Sequence, residues 1–353
     1  MSDFSALLQT DGDFLSFTRA NEHGIDQPFN FSVTEHASQQ RINVSVLDTG
    51  IICFEPEHGL DTKDIVLSSA VHGNETAPIE ICNHLIQQLI LGQLALAQRV
   101  LFLFGNPPAI NIGERFVEEN LNRLFSGAHS QGSGLNNQER HRALVLEQAV
   151  SKFYRQKSTS TIKRERLHYD LHTAIRGSKN DKFAVYPYRH GKPWIKEQLQ
   201  FLYACGVSTI LLSQSPTTTF SYFSSNQFNA HAFTVELGKV RPFGENDMRQ
   251  FEAVTNTLQT LISKTNLVLP SYRSEHMQIF DIAQTINRYS VNFSLHFAED
   301  VENFTDFPVG TIIATDGDIE HKIKHTGEAI IFPNAQVAIG QRALLTVVPT
   351  HID

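Results

Sequence analysis

The chain has 353 residues, 41% of them hydrophobic, enough to bury a sizeable core in two or three structural units. A net charge of −8, from 29 basic and 37 acidic residues with no basic run along a helix, excludes the electrostatic footprint of nucleic-acid binding. The opening MSDFSALLQTDGDFLSF lacks a basic segment followed by an apolar one, and no stretch has the length of a membrane span, so a cytoplasmic protein with no membrane partner is expected.

Residues 1–44 are polar and weakly periodic and read as an N-terminal extension packing on a main unit. RINVSVLDTGIICFEP then gives two apolar runs around Asp48, Thr49 and Gly50, a hairpin at a sheet edge. From Asp64 apolar strands alternate with helical stretches: DIVLSSAV, TAPIEICNHLIQQLI, RVLFLFG, QERHRALVLEQAVSKFYRQ, LHYDLH, KFAVYPY, STILLS and AFTVELG. Such alternation predicts an α/β sheet flanked by helices, occupying residues 45–265. Asn136 or Asn137 caps the QERHRALVLEQAVSKFYRQ helix, and Gly244 precedes a helix over ENDMRQFEAVTNTLQTLISK. STSTIKRERL reads as a surface connection. From 266 to 353, short apolar runs divided by Gly, Pro and Asp predict a smaller β-rich domain. The three widely spaced cysteines, Cys53, Cys82 and Cys205, read as buried free thiols.

His72 and Glu75 form an H-x-x-E pair between an apolar strand and an amphipathic helix, where ligands of open α/β sheets tend to sit. An imidazole and a carboxylate at that place suit zinc, although a turn histidine and a helix-capping glutamate explain the pair equally well in isolation. His296 with Glu299 and His325 with Glu328 repeat the spacing without a strand-to-helix junction, so spacing alone carries little. His172, ending the strand LHYDLH, supplies a third ligand, with His168 as its runner-up. Asp170 shares a strand face with His172 and either orients its imidazole or serves a structural ion pair. Three protein ligands leave a fourth position for water, as in catalytic zinc sites. Glu236 interrupts the apolar strand AFTVELG, a costly place for a carboxylate unless a cation faces it, and is the candidate base. In GNPPAINIGERFVEENLNRLFSG, Arg115, Asn122 and Arg123 form a segment able to grip a carboxylate and steady an oxyanion, or they pair with neighbours such as Glu118 and Glu119.

Taken in order, HGNE, NPPA with an Arg, NR, DLHT and ELG resemble the succinylglutamate desuccinylase and aspartoacylase family, over roughly residues 64 to 240. The resemblance implies a zinc-carboxypeptidase-like α/β/α sandwich with a smaller β-rich C-terminal domain. It implies one Zn2+ per chain on His72, Glu75 and His172, with Glu236 as general base and acid. It further implies that Arg115 stabilises the oxyanion and that Asn122 with Arg123 holds a carboxylate of a small N-acyl amino-acid substrate. HGNETAPIE, DLHTAIRGS and TVELGK look most like the desuccinylase branch, whose reaction converts N-succinyl-L-glutamate and water to succinate and L-glutamate in arginine breakdown. The family usually carries an acid two residues before the Asn of NR, and here that position is Asn120. Tyr272, Tyr289 and Arg176 are further substrate-contact candidates, and a homodimer is left open. Rival readings are another N-acyl amino-acid deacylase, a metallocarboxypeptidase or peptidoglycan amidase, and a non-catalytic metal-binding protein motivated by Asn120.

Overall fold

The computed structural model describes residues 3–58, 62–156 and 163–352. Helices α1 (Asp3–Asp11) and α2 (Phe14–Ala20) lead into strands β1 (Phe29–Thr34), β2 (Arg41–Asp48) and β3 (Ile51–Pro56). Alternation follows: β4 (Lys63–Ser69), α3 (Thr76–Ile90), β5 (Arg99–Phe104), α4 (Pro107–Ile112), α5 (Gln138–Arg155), β6 (Glu165–Ala174), β7 (Phe183–Tyr186), α6 (Lys196–Ala204), β8 (Thr209–Leu212), α7 (Phe220–Phe228), β9 (His231–Lys239) and α8 (Glu252–Ser263). The rest is strand: β10 (Gln278–Asn287), β11 (Ser294–Leu295), β12 (Thr305–Asp306), β13 (Ile312–Asp316), β14 (Ile319–Lys322), β15 (Ala329–Ile331) and β16 (Arg342–Thr350).

Thirteen strands form one sheet in the order β1-β2-β3-β5-β4-β6-β9-β7-β8-β10-β16-β15-β12. Its middle, β5-β4-β6-β9, is parallel. Strand alternation splits the core between the two faces. Ile65, Leu67, Leu167, Tyr169 and Leu171 pack with α3, α6 and α8 on one face, while Val66, Leu101 and Leu103 pack with α5 and α7 on the other. The result is the expected α/β sandwich with a smaller β-rich C-terminal part, which has its own core around Ile286, Ile313, Ile330 and Leu344.

The structure adds detail to three local expectations. Residues 1–44 hold two helices and an outer strand: Phe14 and Phe17 join the main core, and Asn83 of α3 accepts the Leu15 amide at 2.8 Å. The last helix starts after a 3₁₀ turn at Met248–Phe251 that Asp247 caps, because an Asp side chain can accept the free amide of Arg249 and Gly244 cannot. The C-terminal strands also extend the main sheet, since β10 pairs parallel with β8. Asn137 caps α5 as expected, taking the Arg140 amide at 2.9 Å. Of the connection read over 158–167, residues 158–162 lie outside the described residues and Glu165 already opens β6.

Candidate active site

β4, β6 and β9 run parallel, so their carboxyl ends open on one side of the sheet, and the candidate residues gather there. After β4 the chain turns at Ala70, whose φ of 56° lies in the left-handed region that non-glycine residues rarely adopt. Gly73 follows His72 for a steric reason: a Cβ there would lie 2.1 Å from the Ala109 backbone at the helix of the NPPA segment. Glu75 occupies the N-cap position of α3 but makes no side-chain capping bond. Its carboxylate turns to the site instead. Oε1 lies 2.8 Å from His72 Nδ1 and accepts from Arg115 at 2.7 Å, while Oε2 lies 2.9 Å from His172 Nδ1 and accepts the Thr173 amide at 3.1 Å.

One donor atom from each of His72, Glu75 and His172 falls within 4.8 Å of the others, and all three residues are buried. No other such group of His, Cys, Asp and Glu occurs among the described residues. The far side of each ring carries an acceptor: Asp170 Oδ2 at 2.9 Å from His172 Nε2, and Asn120 Oδ1 at 3.0 Å from His72 Nε2. Asn120 Oδ1 also accepts the Asn122 amide at 3.0 Å, which fixes the orientation of its side-chain amide. Each imidazole therefore donates from Nε2 and turns Nδ1 inward, the orientation of a metal-ligating histidine with an outer acceptor. Burial lowers the His72 pKa to about 4, helped by Arg115 and opposed by Glu75. Burial also opposes charge on His172, yet Asp170 and Glu75 outweigh it and hold that ring well above the ordinary range. Burial works against the charge of Glu75 too, but His72 and His172 keep it well below the usual carboxylate range. A cation would replace the protons that the two Nδ1 atoms hold against Glu75, so these three residues could hold a metal.

Beneath His172 a buried polar chain continues inward along one face of β6. Asp170 Oδ1 accepts from Ser68 Oγ at 2.5 Å, and His168 lies between Ser68 Oγ at 2.8 Å and Ser224 Oγ at 2.7 Å. With both ring nitrogens engaged there, the runner-up His168 is no part of the donor set. Asp170 spends its carboxylate on the His172 ring and on Ser68 Oγ.

Glu236 stands in register with His172 on the neighbouring strand, so their side chains share a face. It is 8% exposed, and its Oε2 has no hydrogen-bond partner. Burial pushes the carboxyl up to about 7; Glu75 and Asp170 add to the rise, and His172 and Arg115 oppose it.

Of the loop residues, Arg115 reaches the cluster through Glu75. The Arg123 guanidinium makes one hydrogen bond, to the Asn122 carbonyl at 3.1 Å, and no ion pair among the described residues, while burial and then Arg115 lower its pKa to about 10. Glu119 pairs with Arg140, so the neighbouring acids do not occupy these arginines. Asn122 Oδ1 accepts the Phe220 amide at 3.2 Å, tying the loop to α7. Tyr272 lies instead with Leu199 and Tyr203 of α6, Tyr289 is 68% exposed, and Arg176 donates to the Val301 carbonyl. His296 bonds Thr315, Glu328 is tied to Thr346 and the His325 amide, and neither spare H-x-x-E pair belongs to a metal-holding group among the described residues. The contact between Asn120 and His72 leaves one mark in the sequence, the departure from the family pattern at a position where an amide can still accept a hydrogen bond.

Two family profiles match the chain: the succinylglutamate desuccinylase/aspartoacylase catalytic domain over residues 61–262 and the AstE/AspA barrel-sandwich hybrid domain over 275–350. A succinylglutamate desuccinylase from Idiomarina loihiensis is 55% identical over 95% of each chain. Among solved structures, a succinylglutamate desuccinylase from Chromobacterium violaceum aligns with a TM-score of 0.81 at 36% identity, covering 96% of this chain and 98% of that one. Another, from Vibrio parahaemolyticus, gives 0.83 at 35% identity and covers 95% and 94%. With both parts of the fold and nearly the full length matched, the chain belongs to the succinylglutamate desuccinylase/aspartoacylase family.

Proposed function

We propose that the chain is a zinc-dependent amide hydrolase that converts N-succinyl-L-glutamate and water to succinate and L-glutamate, the closing step of the arginine succinyltransferase route. We assign catalysis to residues 45–265, with 1–44 as a packed extension and 266–353 as the C-terminal domain. The name shared by the relatives supports the substrate. The observation that carries the chemistry is the pairing of His172 with a buried, partnerless Glu236 carboxyl on the adjacent rung.

Zinc held by His72, Glu75 and His172 would supply a Lewis acid that polarises the amide carbonyl and lowers the pKa of a water towards ~7. Glu236 takes a proton from the attacking water and returns it to the amine nitrogen as the C–N bond breaks, a task suited to a carboxyl poised near neutrality. Arg115 spends one of its five N–H donors on Glu75 and keeps others for the developing oxyanion. Arg123, with no acid beside it, holds a substrate carboxylate. Asn120 keeps a hydrogen bond to His72 Nε2, which supports the catalytic over the non-catalytic reading.

The test is amine release from a panel of N-acyl glutamates, N-acyl aspartates and short peptides, with and without a chelator. N-Succinyl-L-glutamate should give the highest kcat/KM and chelation should abolish it. Preference for N-acetyl-aspartate or for peptides would replace this assignment with one of its rivals.

A further inference from the structure

Arg342 opens β16, in the C-terminal part of the chain and far in sequence from every residue of the site. Its guanidinium lies over the Phe332 ring, 5.4 Å from the centroid. That ring sits 5.6 Å from Phe183, the β7 residue paired directly with Glu236. Phe332 is held with φ at 53°, and its amide donates to Asn303 Oδ1 at 2.9 Å. A non-glycine residue in that region is kept there only by its surroundings, so the aromatic platform under Arg342 is fixed in place.

The surroundings of Arg342 hold no counter-charge. Its Nε is buried without a hydrogen-bond partner, and no acid pairs with it among the described residues. Burial and then the charge of Arg123 lower its pKa to about 9. Other enclosed arginines differ: Arg99 meets Glu55 and Asp64, and Arg142 donates to the carbonyls of Gly105, Thr49 and Phe104. Arg189 also has an unpartnered Nε, but it lies over Tyr186 and acts on His231 at the amino end of β9, away from the donor set. Two half-buried cations near enough for the charge of one to lower the pKa of the other, with no acid paired to either, favour an anion between them.

We propose that Arg342 is a specificity-determining residue of this site, delivered by the C-terminal β part, and that it receives a second substrate carboxylate beyond the one held by Arg123. The inference rests on the amide-hydrolase reading above and deepens it by naming a residue of the C-terminal part as the reader of one of the substrate's carboxylates.

The experiment compares the wild type with Arg342→Met and Arg342→Lys on N-succinyl-L-glutamate and on analogues that each lack one carboxylate: N-butyryl-L-glutamate, N-succinyl-L-glutamine and the α-amide. Arg342→Met should raise KM roughly 10- to 100-fold, the weight of one charge-assisted hydrogen-bond pair, and leave kcat within about threefold. Arg342→Lys should recover part of the loss. The KM penalty should vanish on one analogue, which names the carboxylate that Arg342 reads. An unchanged KM, or an equal penalty on all analogues, overturns the proposal. Melting temperatures give an independent readout, because deleting an uncompensated, half-buried charge leaves the Tm of the free protein unchanged or raised, whereas a structural arginine lowers it by several degrees. Succinate should raise the Tm of the wild type and not that of Arg342→Met; an equal shift in both also overturns the proposal. If the wild type fails to turn over N-succinyl-L-glutamate, the hydrolase reading falls, and the succinate shift still decides the role of Arg342.

Discussion

The two ends of the parallel strands treat buried charge in opposite ways. At the amino ends Arg99 donates at 2.6 Å to both Glu55 and Asp64, also meets Gln156 Oε1 at 2.7 Å, and lies over the Phe153 ring. Lys63 pairs with Glu165 and Arg164 with Asp64 in the same neighbourhood. At the carboxyl ends Arg123 and Arg342 have no acid, and the buried Oε2 of Glu236 has no donor. Desolvating a charge costs several kcal/mol unless a partner returns the energy, so the three groups left without one, beside the paired Glu75 and His172, are the places where a bound ligand would supply it.

The largest break in this contrast should come from Glu236→Gln, which removes the open carboxylate while preserving shape. A fall in kcat of about 10²- to 10⁴-fold is expected, with metal content unchanged by elemental analysis. At the opposite end, Arg99→Met leaves Asp64 and Glu55 without their main partner and should cost about 3–5 kcal/mol in urea unfolding while kcat per folded molecule stays constant. If Arg99→Met hurt turnover more than stability, the division between the two ends would be wrong. Asn120→Leu removes the outer acceptor of His72 and should weaken zinc binding by about 10- to 100-fold in competition with a chelating dye. The smallest effect is in the pH profile. A general base works ionised, and Glu236 carries a pKa raised to about 7, so kcat/KM should climb with pH through that limb and then level. A flat profile across it would show that Glu236 does not titrate as the base.

Much of the site could be read from the sequence because each residue stands at a visible junction. DIVLSSAV, LHYDLH and AFTVELG are apolar runs broken by polar residues near their carboxyl ends, and the parallel register of β4, β6 and β9 brings those breaks together. What stayed hidden depends on contacts between distant segments. Arg342 reads as an ordinary strand residue in RALLTVV, and only the packing of Phe332 on Phe183 reveals that it belongs to this end of the molecule. His168 and Asp170 are indistinguishable by strand alternation, and the hydroxyls of Ser68 and Ser224 decide that one is enclosed in a polar chain while the other supports His172. The extension of the sheet beyond β8 by β10 was equally invisible, since pairing between strands leaves no mark in either one alone.

The most direct test of the central claim, that His72, Glu75 and His172 form one catalytic metal site, is stepwise addition of zinc to metal-stripped protein with turnover of N-succinyl-L-glutamate followed at each step. Turnover should be absent at the start and rise linearly to a break at one zinc per chain, and His172→Ala should show neither tight binding nor the rise. Full activity in the stripped protein, or an unaltered titration in His172→Ala, would contradict it.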